Sequence, residues 1–259
     1  MSKNTNIEIK AKKKFGQNFL NNQKIIDQIV EIISPEGKNI IEIGPGMGAI
    51  TKQIVQKSKK LLAYEIDNDM VEYLTKNNIL NNQQIIHQDF LESDLSIYND
   101  YEIVGNIPYY ITSEIIFKII DFRKNFTKVT LMVQNEVADR IVAKINTPEY
   151  SKLSLTLQYV ATVNKVLFVD KKHFDPSPKV DSAIVTIEFN KEAKNFENIK
   201  NFFKLCFLSR RKKLTWSLKT KYSNEKISKA YKTLNLSDLT RIQQLDLEQV
   251  IRLYEELEK

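Results

Sequence analysis

The sequence predicts an α/β protein: an open parallel sheet with helices on both faces, followed by a small all-α C-terminal domain. Three observations predict it. Short β-like runs alternate with helically spaced apolar residues up to about residue 190, and the first such run breaks into Gly44-Pro45-Gly46-Met47-Gly48. Beyond Asn190 the strand signal disappears and charged helical segments take over.

Taken in order, residues 1–22 are polar and basic, punctuated by Phe15-Gly16-Gln17-Asn18-Phe19-Leu20, a loop with apolar anchors. Ile25, Ile26, Ile29, Val30, Ile32 and Ile33 follow helical spacing, and Ser34-Pro35-Glu36-Gly37 ends that helix. A strand over 39–43 leads through the glycine turn into a helix from about Ala49 to Lys57. A second strand is expected over 61–66, a helix over 68–76, and a short third strand over 84–89. Residues 101–105 form a fourth strand that runs into Asn106-Ile107-Pro108-Tyr109-Tyr110. An apolar helix over 111–122, a fifth strand over 128–133 and a helix over 136–145 follow. Residues 154–169 and 183–189 look β-like, separated by the turn-rich Phe174-Asp175-Pro176-Ser177-Pro178-Lys179. The change of texture sets the expected boundary: residues 1–190 as one domain, 191–259 as a basic helical one.

Composition narrows the partners. The chain of 259 residues is 42% hydrophobic, with no apolar run long enough to suggest a membrane span. One cysteine excludes an internal disulfide, two histidines make a structural zinc site improbable, and no metal is expected. The basic N-terminus has no apolar core of a secretory signal, which points to a cytoplasmic protein. The net charge of +7 is unevenly placed: residues 1–190 hold 23 residues of each sign, and 191–259 hold 16 basic and 9 acidic. Lys10, Lys12, Lys13 and Lys14 form a second basic cluster. Two such clusters on a neutral body suggest a polyanion, with nucleic acid ahead of a membrane surface.

Four strand ends converge on one face: the glycine turn, Glu65, Asp89, and Asn106-Ile107-Pro108-Tyr109. A dinucleotide fits the first two, but Pro45 removes a backbone N–H that a pyrophosphate needs. S-adenosylmethionine needs fewer anion donors and more acceptors. Glu65 suits its ribose hydroxyls and Asp89 its adenine amino group. Asn106 offers a carboxamide oxygen and Pro108 a backbone carbonyl. Together they can accept both hydrogens of an exocyclic adenine amine and turn its lone pair toward a methyl sulfonium. Tyr109 supplies a face on which a flipped-out base can stack.

At these residues the chain resembles a known family. Phe15-Gly16-Gln17-Asn18-Phe19-Leu20, Glu42-Ile43-Gly44-Pro45-Gly46, Asp89-Phe90-Leu91 and Asn106-Ile107-Pro108-Tyr109 resemble the rRNA adenine N6-dimethyltransferases. Residues 134–140, 174–182 and Arg210-Arg211-Lys212-Lys213-Leu214 resemble the small-subunit branch of that family, and the likeness runs from about Lys12 to Leu218. The resemblance implies a Rossmann-like class I methyltransferase sheet. It also implies S-adenosylmethionine-dependent dimethylation of two adjacent adenines in the 3′-terminal hairpin loop of 16S rRNA, within a 30S assembly intermediate. By the same resemblance Asn18 and Leu20 line the cofactor site, with Gly44, Glu65, Asp89 and Asn106 binding there, and the Gln-Asn-Phe-Leu loop closes over the methionine end. Lys12, Lys13, Lys14, Arg210, Arg211, Lys212 and Lys213 are the candidate RNA contacts, and a monomer is the default. Ser151 stands where the branch commonly has glycine, and Trp216 after the basic run is unexpected for it.

Three other readings stay open: a large-subunit rRNA methyltransferase of the resistance type, a non-catalytic RNA-binding assembly factor on the same scaffold, and a nicotinamide dehydrogenase, which Pro45 weakens. His87 in a strand pattern and His173 in a turn read as structural, and Cys206 among Phe203, Leu205 and Phe207 reads as core.

Overall fold

The computed structural model describes residues 11–190 and 192–259, so Lys10 and the rest of residues 1–10 lie outside the described residues. After the short strand β1 (Phe19–Leu20), helix α1 (Gln23–Ile33) starts where the Asn22 side chain accepts from the Ile25 amide at 3.2 Å. The α/β alternation then runs β2 (Asn39–Ile43), α2 (Thr51–Lys57), β3 (Lys60–Glu65), α3 (Asn68–Lys76), β4 (Ile85–His87), β5 (Tyr101–Asn106), α4 (Thr112–Asp121), β6 (Phe126–Gln134). Helix α5 (Asn135–Ile141), helix α6 (Lys152–Val160), β7 (Thr162–Val169), β8 (Phe174–Asp175) and β9 (Ser182–Glu188) complete the part that carries strands. Helices α7 (Phe196–Cys206), α8 (Leu214–Leu218), α9 (Asn224–Thr233) and α10 (Leu247–Glu258) follow.

Among the described residues the main sheet has the order β4-β3-β2-β5-β6-β9-β7. From β4 to β6 every pairing is parallel, and β9 joins β6 antiparallel. Alternate strand residues turn to opposite faces. Ile40, Leu61, Ala63, Val104, Met132 and Ile184 share one core with the buried stripes of α1, α2 and α3. Their neighbours Ile41, Ile103 and Leu131 point the other way and are fully buried too. A sheet covered on both faces explains why its strands read as nearly continuous apolar runs. The strand order turns back between β2 and β5, the crevice where such sheets hold ligands.

The chain divides into two compact units. One holds the described residues up to Ala138 with Asn164–Phe189, and the other holds Asp139–Val163 with Asn190–Lys259. The boundary expected near residue 190 is thus the last of three crossings, and Asp139–Val163 groups with the C-terminal helices. Within the second unit Tyr150 and Leu155 share a core with Phe203, Leu218, Tyr231 and Leu253.

One expected element is corrected. Residues 154–169 do not form a single extended stretch: the first part is α6 and only the second is a strand. Leu153, Leu155 and Leu157 alternate as a strand would, yet Ser154 and Thr156 between them are equally buried. A helix buried all round shows no 3.6-residue stripe, so its leucine alternation imitates a strand. Ser151 caps this helix reciprocally with Ser154: the Ser151 amide donates to Ser154 Oγ at 3.0 Å. The serine that departs from the branch pattern therefore has a local role as a helix start.

Candidate active site

Parallel register lines up the carboxyl ends of three strands. Ile43 sits beside Tyr64 of β3 and Gly105 of β5, so Gly44, Glu65 and Asn106 follow side by side. They open onto one cavity, also lined by Glu42, Asp89, Pro108, Tyr109 and the Phe15–Leu20 segment. Gly46, at φ 54°, adopts a left-handed conformation, and a Cβ there would stand 3.2 Å from the Phe19 ring. A side chain at this position would be strained by the left-handed backbone and would crowd the Phe19 ring, which must give by a few tenths of an ångström.

The carboxylates differ in what they already hold. Glu65 accepts from the Gly46 amide at 3.2 Å and from the Asp67 amide at 2.9 Å, which ties the glycine turn to the end of β3. Burial pushes its carboxyl up, and these amide bonds oppose that shift. Asp89 accepts from the Leu91 amide at 2.8 Å. A carboxylate has about four acceptor sites, so both residues keep room for ligand hydroxyl or amine hydrogens.

Glu42 is a site residue to which its sequence motif assigns no role. Its side chain is 1% exposed; Oε1 accepts from Thr51 Oγ1 at 2.9 Å, and Oε2 has no protein partner. Burial pushes its carboxyl up to about 8. A buried, unpartnered acceptor on a cavity wall calls for a ligand donor or a positive group. The described lining residues supply three carboxylates and no lysine, arginine or histidine. That cavity suits a cationic nucleoside and disfavours a pyrophosphate.

Asn106 is oriented by the Phe15–Leu20 segment. Its Nδ2 donates to the Asn18 carbonyl at 3.1 Å, which turns Oδ1 toward an acceptor role. Asn18 in turn donates from Nδ2 to the Gly16 carbonyl at 3.1 Å. Leu20 is buried and pairs with Phe174, while Phe19 pairs with Asp175, so β1 and β8 form a two-stranded ladder. The loop expected here thus carries a strand, held by residues about 155 positions away in sequence.

The Pro108 carbonyl, expected to accept from the target amine, already has protein donors beside it. It accepts from the Ile111 amide at 3.3 Å and lies 3.2 Å from Thr112 Oγ1. The same hydroxyl lies 3.2 Å from the Tyr109 carbonyl. One hydroxyl proton serves one acceptor well, so turning it to Tyr109 leaves a Pro108 lone pair for another donor. The Tyr109 hydroxyl is 2.5 Å from Ser182 Oγ at the start of β9, and burial pushes the phenol up. This tether fixes the ring from a distant strand, and no local pattern announces it.

Of the candidate RNA contacts, Lys13 and Lys14 are exposed. Lys12 Nζ instead lies 2.6 Å from both Asp67 and Asp69. Gln17 Nε2 donates to the other Asp67 oxygen at 2.8 Å. Burial pushes the Asp67 carboxyl up, but Lys12 and Gln17 outweigh it and hold the group below its usual range. Arg210 donates to the Thr147 carbonyl at 2.8 Å, whereas Arg211, Lys212 and Lys213 are exposed.

Comparisons with known proteins show the family. The family model described as ribosomal RNA adenine dimethylase matches residues 8–259. The ribosomal RNA small subunit methyltransferase A of Mycoplasmopsis synoviae is 47% identical, the match covering 94% of this chain and 96% of the relative. The same-named protein of Mycoplasmopsis pulmonis is 47% identical, over 96% of this chain and all of the relative. Among solved structures, a dimethyladenosine transferase from Plasmodium falciparum superposes with a TM-score of 0.77 at 27% identity, covering 93% of this chain and 97% of that one. The 23S rRNA methyltransferase ErmE gives 0.70 at 26% identity, covering 93% of this chain and all of that one.

Proposed function

The chain belongs to the ribosomal RNA adenine dimethylase family, and from that premise we propose that it dimethylates N6 of two adjacent adenines in the 3′-terminal hairpin loop of small-subunit rRNA. In this reading it acts as a monomer in the cytoplasm, on a 30S assembly intermediate, with residues 191–259 as the core of its RNA-binding part. The observation that carries the reading is the cavity with three carboxylates and no cation, opening onto Asn106–Tyr109. S-adenosylmethionine fits such a lining, and when bound it supplies an electrophilic methyl group on a sulfonium.

The chain's own residues do the rest. Glu42 faces the cavity with an unpartnered oxygen suited to a positive group, and Glu65 and Asp89 offer acceptors for hydroxyl and amine hydrogens. Asn106 Oδ1, with the Pro108 carbonyl once Thr112 turns to Tyr109, accepts the two hydrogens of the target amine. Drawing both hydrogens into fixed acceptors aims the nitrogen lone pair, which is catalysis by alignment and electrostatic preorganisation. The ring of Tyr109, tethered at Ser182, stacks on the flipped base. No strong base is needed, because an alkylated adenine nitrogen is acidic.

Purified protein incubated with each unmodified ribosomal subunit and labelled cofactor tests this. Dimethyladenosine is expected in small-subunit rRNA, and incorporation only into the large subunit would overturn the choice of substrate. Asn106→Ala is expected to lower methyl transfer by about a hundredfold or more while RNA binding stays within about twofold. Full activity in that variant would remove Asn106 from the target-amine site.

A further inference from the structure

The second unit carries a cleft that the methyl-transfer chemistry does not use. It is lined by Arg211, Lys212, Lys213, Trp216, Lys219 and Arg241, with Thr215 beside them. The Leu214 amide donates to the Thr240 carbonyl at 2.8 Å, which brings Arg241 beside the basic run. Leu214, Ser217 and Leu218 are buried, so the short helix turns Trp216 outward, where it is 47% exposed. All five cations are exposed, and none of them pairs with a carboxylate among the described residues. Lys212 Nζ stands 4.1 Å from the centre of the Trp216 ring.

Five unneutralised cations repel one another, and a half-exposed indole among them keeps a large apolar face in water. A polyanion alone would relieve the first and leave the second. A nucleotide with an unpaired base relieves both: its phosphates take the cations and its base takes the indole face. A duplex cannot do this, because its bases are already stacked on each other.

We propose that the Trp216 cleft seats one unpaired nucleotide of RNA. The base stacks on Trp216 in place of Lys212, whose ammonium moves to a phosphate, while Arg211, Lys213, Lys219 and Arg241 hold the flanking backbone. The proposal rests on the rRNA reading for the identity of the natural strand. The affinity of the cleft for a single strand can be measured without any methyl transfer.

The test uses the full chain and two labelled RNA probes, a single-stranded oligoadenylate and a blunt-ended two-strand duplex without unpaired residues, with equal numbers of phosphates. The chain has one tryptophan, so its emission reports this cleft alone. The single strand is expected to quench that emission and the duplex to leave it nearly unchanged. Trp216→Ala is expected to weaken single-strand binding by about tenfold or more, with duplex binding within about twofold. Trp216→Phe, which keeps an aromatic face, should retain most of the affinity. Equal losses for both probes in Trp216→Ala, wild-type affinity for the single strand, or quenching by anionic lipid vesicles but not by RNA would each overturn the proposal. If quenching and selectivity appear but neither subunit is methylated, the enzymatic reading fails and the cleft stands. If a subunit is methylated but RNA leaves the emission unquenched, the cleft proposal fails and the enzymatic reading stands.

Discussion

At the scale of single residues, Glu42 makes the sharpest prediction. Its carboxyl is fully buried and held at about 8, well above the 4.5 of an unperturbed glutamate. A raised carboxyl means that the folded state holds its proton more tightly than the unfolded chain. The stability this adds is complete below pH 4.5 and is lost as pH climbs from 4.5 to about 8. A positive ligand against Oε2 favours the ionised form, so binding at pH 7 expels a proton. Affinity for S-adenosylmethionine should rise by up to about tenfold per pH unit toward pH 8 and then level off. Calorimetry in two buffers of unlike ionisation enthalpy measures the released proton directly. In Glu42→Gln the release should vanish, and a wild-type proton count in that variant would remove Glu42 from the ligand's surroundings. Asn106, Glu65 and Asp89 are legible in the sequence because they end strands in a repeating pattern. Ser182 is not, since a hydroxyl that tethers a residue 73 positions away leaves no trace in local spacing.

At the scale of elements, the close pairing of β2 with β5 depends on one missing side chain. A Cβ on Gly105 would lie 2.6 Å from the Ile43 carbonyl oxygen, a backbone atom that cannot step aside. Gly105→Ala must spread two central strands, and it should lower unfolding free energy by about 3 kcal/mol or more in a urea titration. Gly37→Ala is the matched control. Its φ of 72° is unfavourable for alanine, but nothing lies within 4 Å, so a loss of about 1 kcal/mol is expected. Similar losses in the two variants would show that the strand contact is not what counts. The parallel strands are legible because both faces are buried and the runs are short. Helix α6 is not, because burial on every side erases its stripe. The β1–β8 ladder is hidden for another reason: two residues pair with two others across most of the chain, and neither pair is long enough to show alternation.

At the scale of the whole molecule, charge and units coincide more closely than a boundary at residue 190 implies. Moving residues 139–163 to the C-terminal unit gives that unit 19 basic and 11 acidic residues, against 20 and 21 in the other. The excess positive charge therefore belongs to the part without the Glu42–Glu65–Asp89 cavity, among whose described lining residues there is no cation. Raising monovalent salt from about 50 to about 200 mM should cut rRNA affinity by about tenfold or more, because the counterion release that drives binding becomes less favourable. Cofactor affinity over the same range should stay within about twofold. Filter binding for RNA and calorimetry for cofactor separate the two, and a parallel fall of both would contradict this division of labour.

The composition has a practical corollary. The chain's only tryptophan, Trp216, and its only cysteine, Cys206, both fall in the second unit. Cys206 is 1% exposed and burial pushes its thiol up, so it is silent toward alkylating reagents until its surroundings open. Two standard optical and chemical probes of unfolding therefore watch one unit of the protein. Far-ultraviolet circular dichroism watches both units, and the gap between its denaturation curve and the other two measures how independently the sheet-bearing unit melts.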